Sequence, residues 1–241
     1  MDTNAIFERR ELKFLLTQEQ RAALEAAFET PMMPDPHGES TICNVYYDTP
    51  DFRLIRASLD KPVYKEKLRL RSYGPAAPED AVFLELKKKY DGVVYKRRVS
   101  VPVRAAEDFF AGRAGLPDLG QIGREIEYAC RFYGSLGPAV YLCYDRCAYY
   151  CPEDSGLRAT FDQNIRWRTT DMRLTAAPGG EQLLLPGQSL FEIKTAGAIP
   201  LWLVQALDEA GVRQASFSKY GEAYKTIFER ANRERTGVSC A

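Results

Sequence analysis

One stretch constrains this chain more than any other. In YKEKLRLRSY (64–73), Lys65, Lys67, Arg69 and Arg71 share one parity while Leu68 and Leu70 take the other. Side chains of a strand alternate between its faces, so the pattern reads as an extended segment, ionic on one side and apolar on the other. The pattern recurs. Glu85, Lys87 and Lys89 alternate with Leu84 and Leu86; Lys96 and Arg98 continue it; Arg9, Glu11 and Lys13 show it near the N-terminus. Tyr144 and Arg146, then Arg158, Thr160 and Asp162, repeat the phase, and Glu192 and Lys194 alternate with Phe191 and Ile193. One such strand is most simply a solvated face whose Lys and Arg deter edge pairing. Six or seven in phase argue for a shared lining.

The rest of the chain supplies strands and helices to frame that lining. A strand is expected over 5–16, and Thr17 with Gln20 is a capping-box start for a helix in TQEQRAALEAAFE. A loop is expected from Pro31 to Glu39. Strands follow at CNVYYDT, YKEKLRLRSY, AVFLELKKKY and VVYKRRVSV, the last two joined by the hairpin signal Asp91-Gly92. RAAEDFFAG and LGQIGREIEYACRFYG read as helices, AVYLCYDRCAYY, LRATFDQNIRWR and SLFEIKTA as strands, and PLWLVQALDEAG and FSKYGEAYKTIFERANRER as helices. No repeat or linker divides the 241 residues. The expectation is one α+β domain over 1–241, an antiparallel eight-stranded β-barrel tunnel with flanking helices and a frayed tail from about 231.

Helices docked outside such a barrel need apolar strand faces, which favours charges pointing inward. Overall the chain is balanced, with 33 Lys+Arg and 33 Asp+Glu, so bulk attraction to nucleic acid or membrane is not expected. Between Tyr64 and Val101, however, ten Lys/Arg face five acids. An inward ring of cations demands counter-charge, and linked phosphates fit it, with Arg giving bidentate and Lys point contacts. Glutamates among those cations would repel phosphate unless a divalent metal intervened. Glu11, Glu85 and Glu192 are therefore candidates for Mg2+ or Mn2+ ligands, or else salt-bridge spacers between cations.

Several residue types exclude chemistries. The one histidine, His37, lies in a Pro/Asp/Gly loop, which removes Ser-His and Cys-His hydrolases. Cys143, Cys147 and Cys151 recur every fourth residue, but a zinc site there would need a helix where a strand is expected. No apolar run is long enough for a membrane span, and charge occupies the place of a signal peptide's apolar region, so a reduced, cytoplasmic protein is expected. Arg97 and Lys88 read as surface, Lys65 and Lys67 lie between tunnel and rim, Trp202, Leu203 and Leu207 read as core, and Asp48 as a cap for the following turn.

The ordered set RELK (10–13), YYDT (46–49), KLRLR (67–71), LELKKK (84–89), YKRR (95–98), YDRCAY (144–149), LRATFD (157–162), FEIK (191–194) and FSKY (217–220) resembles the VTC domain, the polyphosphate polymerase module of the CYTH-like triphosphate tunnel metalloenzymes. The resemblance implies a basic tunnel that binds a nucleoside triphosphate or polyphosphate with Mn2+ or Mg2+. By matched motifs, Arg69 and Arg71 would grip the triphosphate, with Lys87, Lys96, Arg146, Arg158 and Lys219 beside them in the catalytic set. Arg9, Glu11, Lys13, Lys67, Lys89, Arg98 and Lys194 would bind substrate, and Glu192, with Glu85, would hold the metal. The first strand reads Arg9-x-Glu11-x-Lys13, where the hydrolytic CYTH branch tends to Glu-x-Glu-x-Lys; this favours VTC-like chemistry over a two-metal triphosphatase.

The implied reaction is ATP-dependent extension of polyphosphate, in which the terminal phosphate is already an anionic nucleophile and no His or Ser need be activated. Two alternatives remain at this point: a tripolyphosphate or nucleoside triphosphate hydrolase, and a non-catalytic polyphosphate-binding module. The expected partners are ATP or inorganic polyphosphate, without nucleic acid or direct membrane insertion. Coupling to translocation would need a membrane partner protein.

Overall fold

The computed structural model describes residues 10–236 except Gly92, and leaves the side chains of residues 37, 235 and 236 undescribed. Nine strands and six helices follow one another among these residues. Strand β1 (Arg10–Leu16) leads into α1 (Gln18–Phe28), whose expected capping box is formed: Gln20 N–H donates to Thr17 Oγ1 at 3.3 Å and Thr17 N–H to Gln20 Oε1 at 3.0 Å. Then come β2 (Met33–Asp48), α2 (Arg53–Leu59), β3 (Tyr64–Tyr73), β4 (Ala81–Tyr90), β5 (Val93–Pro102), α3 (Val103–Phe110) and α4 (Gly120–Tyr133). Long β6 (Gly137–Tyr150) and β7 (Arg158–Arg168), short β8 (Glu181–Gln182), β9 (Ser189–Thr195), α5 (Leu201–Glu209) and α6 (Lys219–Thr236) complete the order. The expected start of the first strand at 5–9 and the tail beyond 236 lie outside the described residues; α6 itself continues past the expected fraying point at 231.

All pairings are antiparallel, in the order β1-β9-β7-β6-β2-β3-β4-β5, with β8 beside β7. The eight-stranded path matches the expectation; the closed barrel does not. Among the described residues β1 and β5 are the two edges, with no ladder between them. The sheet nevertheless curls strongly. At ~4.8 Å per strand, a flat sheet would put β1 and β4 roughly 29 Å apart, yet Lys87 Nζ on β4 lies 3.3 Å from Glu11 Oε2 on β1. The gap beyond β1 is flanked by the segment before α6, where Ala215 N–H donates to Lys13 O at 2.7 Å.

Two local readings change. Residues 33–39, expected as a loop, extend β2 against the far half of β6, with Met33 opposite Tyr150 and Glu39 opposite Cys147. A register irregularity between Pro34 and Glu39 absorbs the prolines and Gly38, whose φ is 61°. Prolines at an irregularity cost no ladder bond, so turn chemistry here marks a bulge and not an end. The second change is α2, a helix the sequence reading did not contain. Its N-terminus is held by buried Asp48, which accepts from Leu54 N–H at 2.8 Å and Ile55 N–H at 3.0 Å, the capping role expected of that residue.

The apolar strand faces point outward, as inferred. Leu68, Leu70, Leu84 and Leu86 pack under α3 and α4; Phe14, Phe161, Phe191 and Ile193 pack under α1 and α5. Arg97 and Lys88 stand on this outer side with Glu125 and Glu66. The concave face is divided. At one end Ile42, Val140, Leu142, Ile165 and Trp167 receive Tyr220 and Ala223 of α6 and Ile55 of α2; the other end is ionic. Strand β6 crosses from one to the other within four residues, Leu142 to Tyr144 to Arg146.

Candidate functional site: a basic chamber with an outer cavity

Inside the curl, Lys13, Lys67, Arg69, Arg71, Lys87, Lys96, Arg146, Lys194 and Lys219 line one chamber of ≈ 420 Å³, with only Glu11 and Glu192 as lining carboxylates. Strands β1, β3, β4, β5, β6 and β9 each bring a charge there, and β2 brings Tyr46; β7 supplies Asp162, buried behind Arg146. The chamber opens into an outer cavity of ≈ 1170 Å³ where Lys61, Lys65, Lys89 and Lys225 continue the basic lining. Along β3 the four in-phase cations thus run from outer cavity to inner chamber, each step about 6.7 Å.

Two buried ionic clusters hold the walls. In the first, Glu85 receives Arg69 Nε at 2.8 Å, Lys96 Nζ at 2.8 Å and Arg98 Nε at 2.6 Å, with Arg71 Nε at 4.0 Å. Burial alone would raise this carboxyl, but Arg69, Arg71 and Lys96 hold it well below its usual range. Register explains the geometry: Arg69 lies opposite Glu85 on β3, and Glu85 opposite Arg98 on β5. In the second cluster, Arg146 grips Asp162 through two bonds of 2.6 and 2.7 Å, and Lys219 bridges Asp162 at 2.5 Å and Glu192 at 3.1 Å. Lys13 stands between Glu192 at 3.3 Å and Glu11 at 3.1 Å. Burial would raise Glu192, yet Lys219, Lys13, Lys194 and Arg146 keep it well below the ordinary carboxylate value. Glu11 falls to about 2, burial being overcome by Lys87 and Lys13.

The structure brings most of the sequence-selected residues together, and places the rest as follows. Arg9 lies outside the described residues. Arg158 has the inward phase, but it is the first residue of β7 and is exposed, away from the chamber lining. Lys89 lines the outer cavity only. Arg98 reaches the chamber wall from behind, bound to Glu85 and stacked 4.2 Å from the Phe83 ring. Glu85, 1% exposed, has both oxygens occupied by arginines and Lys96 and does not line the chamber. It acts here as the spacer between cations.

Sequence reasoning passed over four residues. Asp162 anchors Arg146 and Lys219; its signal was present, an acid in phase with Thr160 inside LRATFD. Asn44 Oδ1 accepts from Arg71 Nε at 2.9 Å, Tyr144 OH from Arg71 Nη2 at 3.2 Å, and Tyr46 OH from Arg69 Nη1 at 2.9 Å. The zinc alternative finds no support: the cysteines sit on strand β6, with Cys151 just after it, and no three His, Cys, Asp or Glu among the described residues form a metal-holding group.

A sequence profile of the VTC domain matches residues 8–228. The chain belongs to the VTC domain family. None of the curated proteins compared is similar to it in sequence. Among solved structures, a Bacillus halodurans protein described as a candidate adenylate cyclase superposes with a TM-score of 0.54 at 15% identity, covering 88% of this chain and 94% of that one. A Vibrio parahaemolyticus protein described in the same way gives 0.48 at 10% identity, covering 92% and 99%. At 15% identity the likeness to the Bacillus halodurans protein is one of fold alone. No helix of this VTC domain among the described residues is long and apolar enough to cross a membrane.

The divalent cation that the fold family implies can be tested against the donors present. Mg2+ or Mn2+ is held by one or two carboxylates together with phosphate oxygens and water. Glu11 and Glu192 meet that requirement, since both face the chamber and share Lys13 as a neighbour that an arriving cation would replace. Glu85 does not, because it lies behind the chamber lining, enclosed by Arg69, Lys96 and Arg98.

Proposed function

We propose that this VTC domain catalyses metal-dependent phosphoryl transfer, with ATP as donor and the terminal phosphate of a polyphosphate chain as acceptor. The observation that supports this reading is the lining: nine Lys and Arg side chains against two carboxylates in the inner chamber, continued by a second lysine-lined cavity. A triphosphate in the chamber and a second polyanion in the outer cavity can meet end to end. One small site would accommodate only one of them.

In this mechanism Arg69 and Arg71 hold the triphosphate oxygens, with Glu85, Tyr46, Asn44 and Tyr144 fixing the guanidinium planes beforehand. Lys87 and Lys96 neutralise charge from the β4–β5 wall, and Arg146 and Lys219 from the opposite one. Glu11 and Glu192 would hold Mg2+ or Mn2+, which when bound supplies neutralisation of the phosphate oxygens. The acceptor phosphate needs no activating base, and the chamber offers no histidine to act as one. Catalysis then rests on positioning and on fixed charge that does not reorganise during the step.

Incubation with ATP and Mn2+ or Mg2+, resolved by gel and by phosphate release, tests this. Polyphosphate growing alongside ADP is the expected result. Orthophosphate without chain growth would replace it with a hydrolase, and tight polyphosphate binding without turnover would leave a binding module.

A further inference from the structure

Six residues line both cavities and so form the neck between them: Glu11, Lys13, Lys67, Lys87, Val94 and Ser218. The three charged side chains other than Lys67 satisfy one another, Glu11 receiving Lys13 at 3.1 Å and Lys87 at 3.3 Å. Lys67 is different. Among the described residues it forms no ion pair, and its Nζ meets only Ser218 Oγ at 2.8 Å. Its surroundings are cationic on every side: Lys65 and Arg69 from β3, Lys87 from β4, Lys13 from β1. Glu11 on β1 is already shared by two lysines. Lys96 of β5 is committed to Glu85, Lys219 at the start of α6 to Asp162 and Glu192, and Lys225 of α6 to Glu222. Lys61 and Glu66 stand farther out on the cavity wall, Glu66 bonded to Tyr133 OH at 2.6 Å.

We propose that Lys67 is a proton-loading residue at this neck, an uncharged amine while the site is empty and an ammonium when a phosphate chain passes through. This rests on the polyanion reading of the site above. Ser218 suits both states. Its Oγ accepts from Gly221 N–H at 3.1 Å, which leaves its own proton to donate to a neutral amine. A hydroxyl keeps a second lone pair, so it accepts instead once Nζ is protonated. Phosphate oxygens entering the neck supply the counter-charge that no protein carboxylate gives Lys67. They favour the ammonium, and one proton moves from solvent to Nζ with no bond broken. Burial, then Lys87, Lys13, Lys65 and Arg69, bring the empty-state amine down to about 7, so the change falls within the range where the protein is handled.

The consequence is that binding takes up a proton, so affinity for a chain spanning the neck falls as pH rises above that value. The test is calorimetric binding of inorganic tripolyphosphate to the full chain at pH 8, without divalent metal, in buffers of different ionisation enthalpy. Wild type is compared with Lys67→Arg, already charged, and Lys67→Gln, never charged. Protons exchanged by tripolyphosphate and by other lysines are common to all three. From a value near 7 in the empty protein, wild type is expected to take up about 0.9 proton more per ligand than either variant. Between pH 7.5 and 9 its Kd should also rise about tenfold per pH unit relative to Lys67→Arg. Equal proton uptake by all three, with binding intact, overturns the assignment of Lys67 alone. No binding of tripolyphosphate by any of them overturns the polyanion reading and this inference with it.

Discussion

On the β3–β5 wall one carboxylate, Glu85, serves Arg69, Lys96, Arg98 and, at 4.0 Å, Arg71. Across the chamber Asp162, Glu192 and Glu11 stand against Lys13, Arg146 and Lys219. Both clusters are buried, and both obey the rule that an internal charge needs a partner. They differ in what is left over. The Glu85 wall keeps an excess of positive charge after pairing, so it remains able to bind anions with guanidiniums already oriented. The opposite wall is close to balance, and its lysines can yield to an arriving cation. On the proposed reading, one chamber holds phosphate on one side and receives a metal on the other.

The largest expected effect breaks the first wall. Arg69→Ala removes a prepositioned guanidinium and should raise the barrier to polyphosphate formation by about 2–4 kcal/mol, read as turnover with ATP and metal. The urea midpoint should stay near wild type, because Arg98 and Lys96 still pair Glu85; a turnover loss that merely tracks unfolding would refute this division of labour.

Next comes acid. The folded carboxyls of Glu11 and Glu192 ionise well below the ordinary 4.5, so below that pH the unfolded chain binds more protons. The stabilisation from Glu11 is full above 4.5 and is lost as pH falls toward about 2, on the order of 3 kcal/mol, and that from Glu192 is lost in the same direction. Urea unfolding across that window should show a steep decline, flattened in Glu11→Gln; an unchanged slope would mean that Glu11 is not held as the geometry indicates.

A third test reverses the sign between walls. Glu192→Gln should abolish metal stimulation yet tighten metal-free tripolyphosphate binding by about 1 kcal/mol, since it deletes a repelling charge. Weaker binding in that variant would make the two walls alike. The smallest effect concerns how α6 delivers Lys219. Tyr220 OH donates to Asp48 Oδ2 at 2.8 Å, tying α6 to the α2 cap. Tyr220→Phe leaves Asp48 its backbone donors and should cost about 0.5–1 kcal/mol of stability in urea unfolding. A loss as large as that of a buried charge would mean that the bond anchors more than one helix.

Much of the chamber was legible because strand phase is a local property. Lys67, Arg69, Arg71, Lys87, Lys96, Arg146, Glu192 and Lys194 share one phase of their strands, and helices outside the sheet leave that ionic face one direction to point. The β4–β5 hairpin and the Thr17–Gln20 cap were legible for the same reason, each being set by a few adjacent residues. Phase says nothing about position along the tunnel axis. Arg158 has the right parity but begins its strand, so it stands exposed, whereas Asp162 two steps inward is fully buried. The 33–39 strand was hidden because its partner lies more than a hundred residues away on β6.

What the sequence determined by itself is the two-faced character of the strands and the excess of cations on one face, since alternation needs no information beyond nearest neighbours. The tertiary structure alone decided that the sheet curls without closing and that Glu85 is consumed by arginines while Glu11 and Glu192 face the chamber. It also decided that Lys67 is left without a carboxylate. Those outcomes depend on which strands become neighbours, and so on which charges come within about a Debye length of one another with water excluded between them.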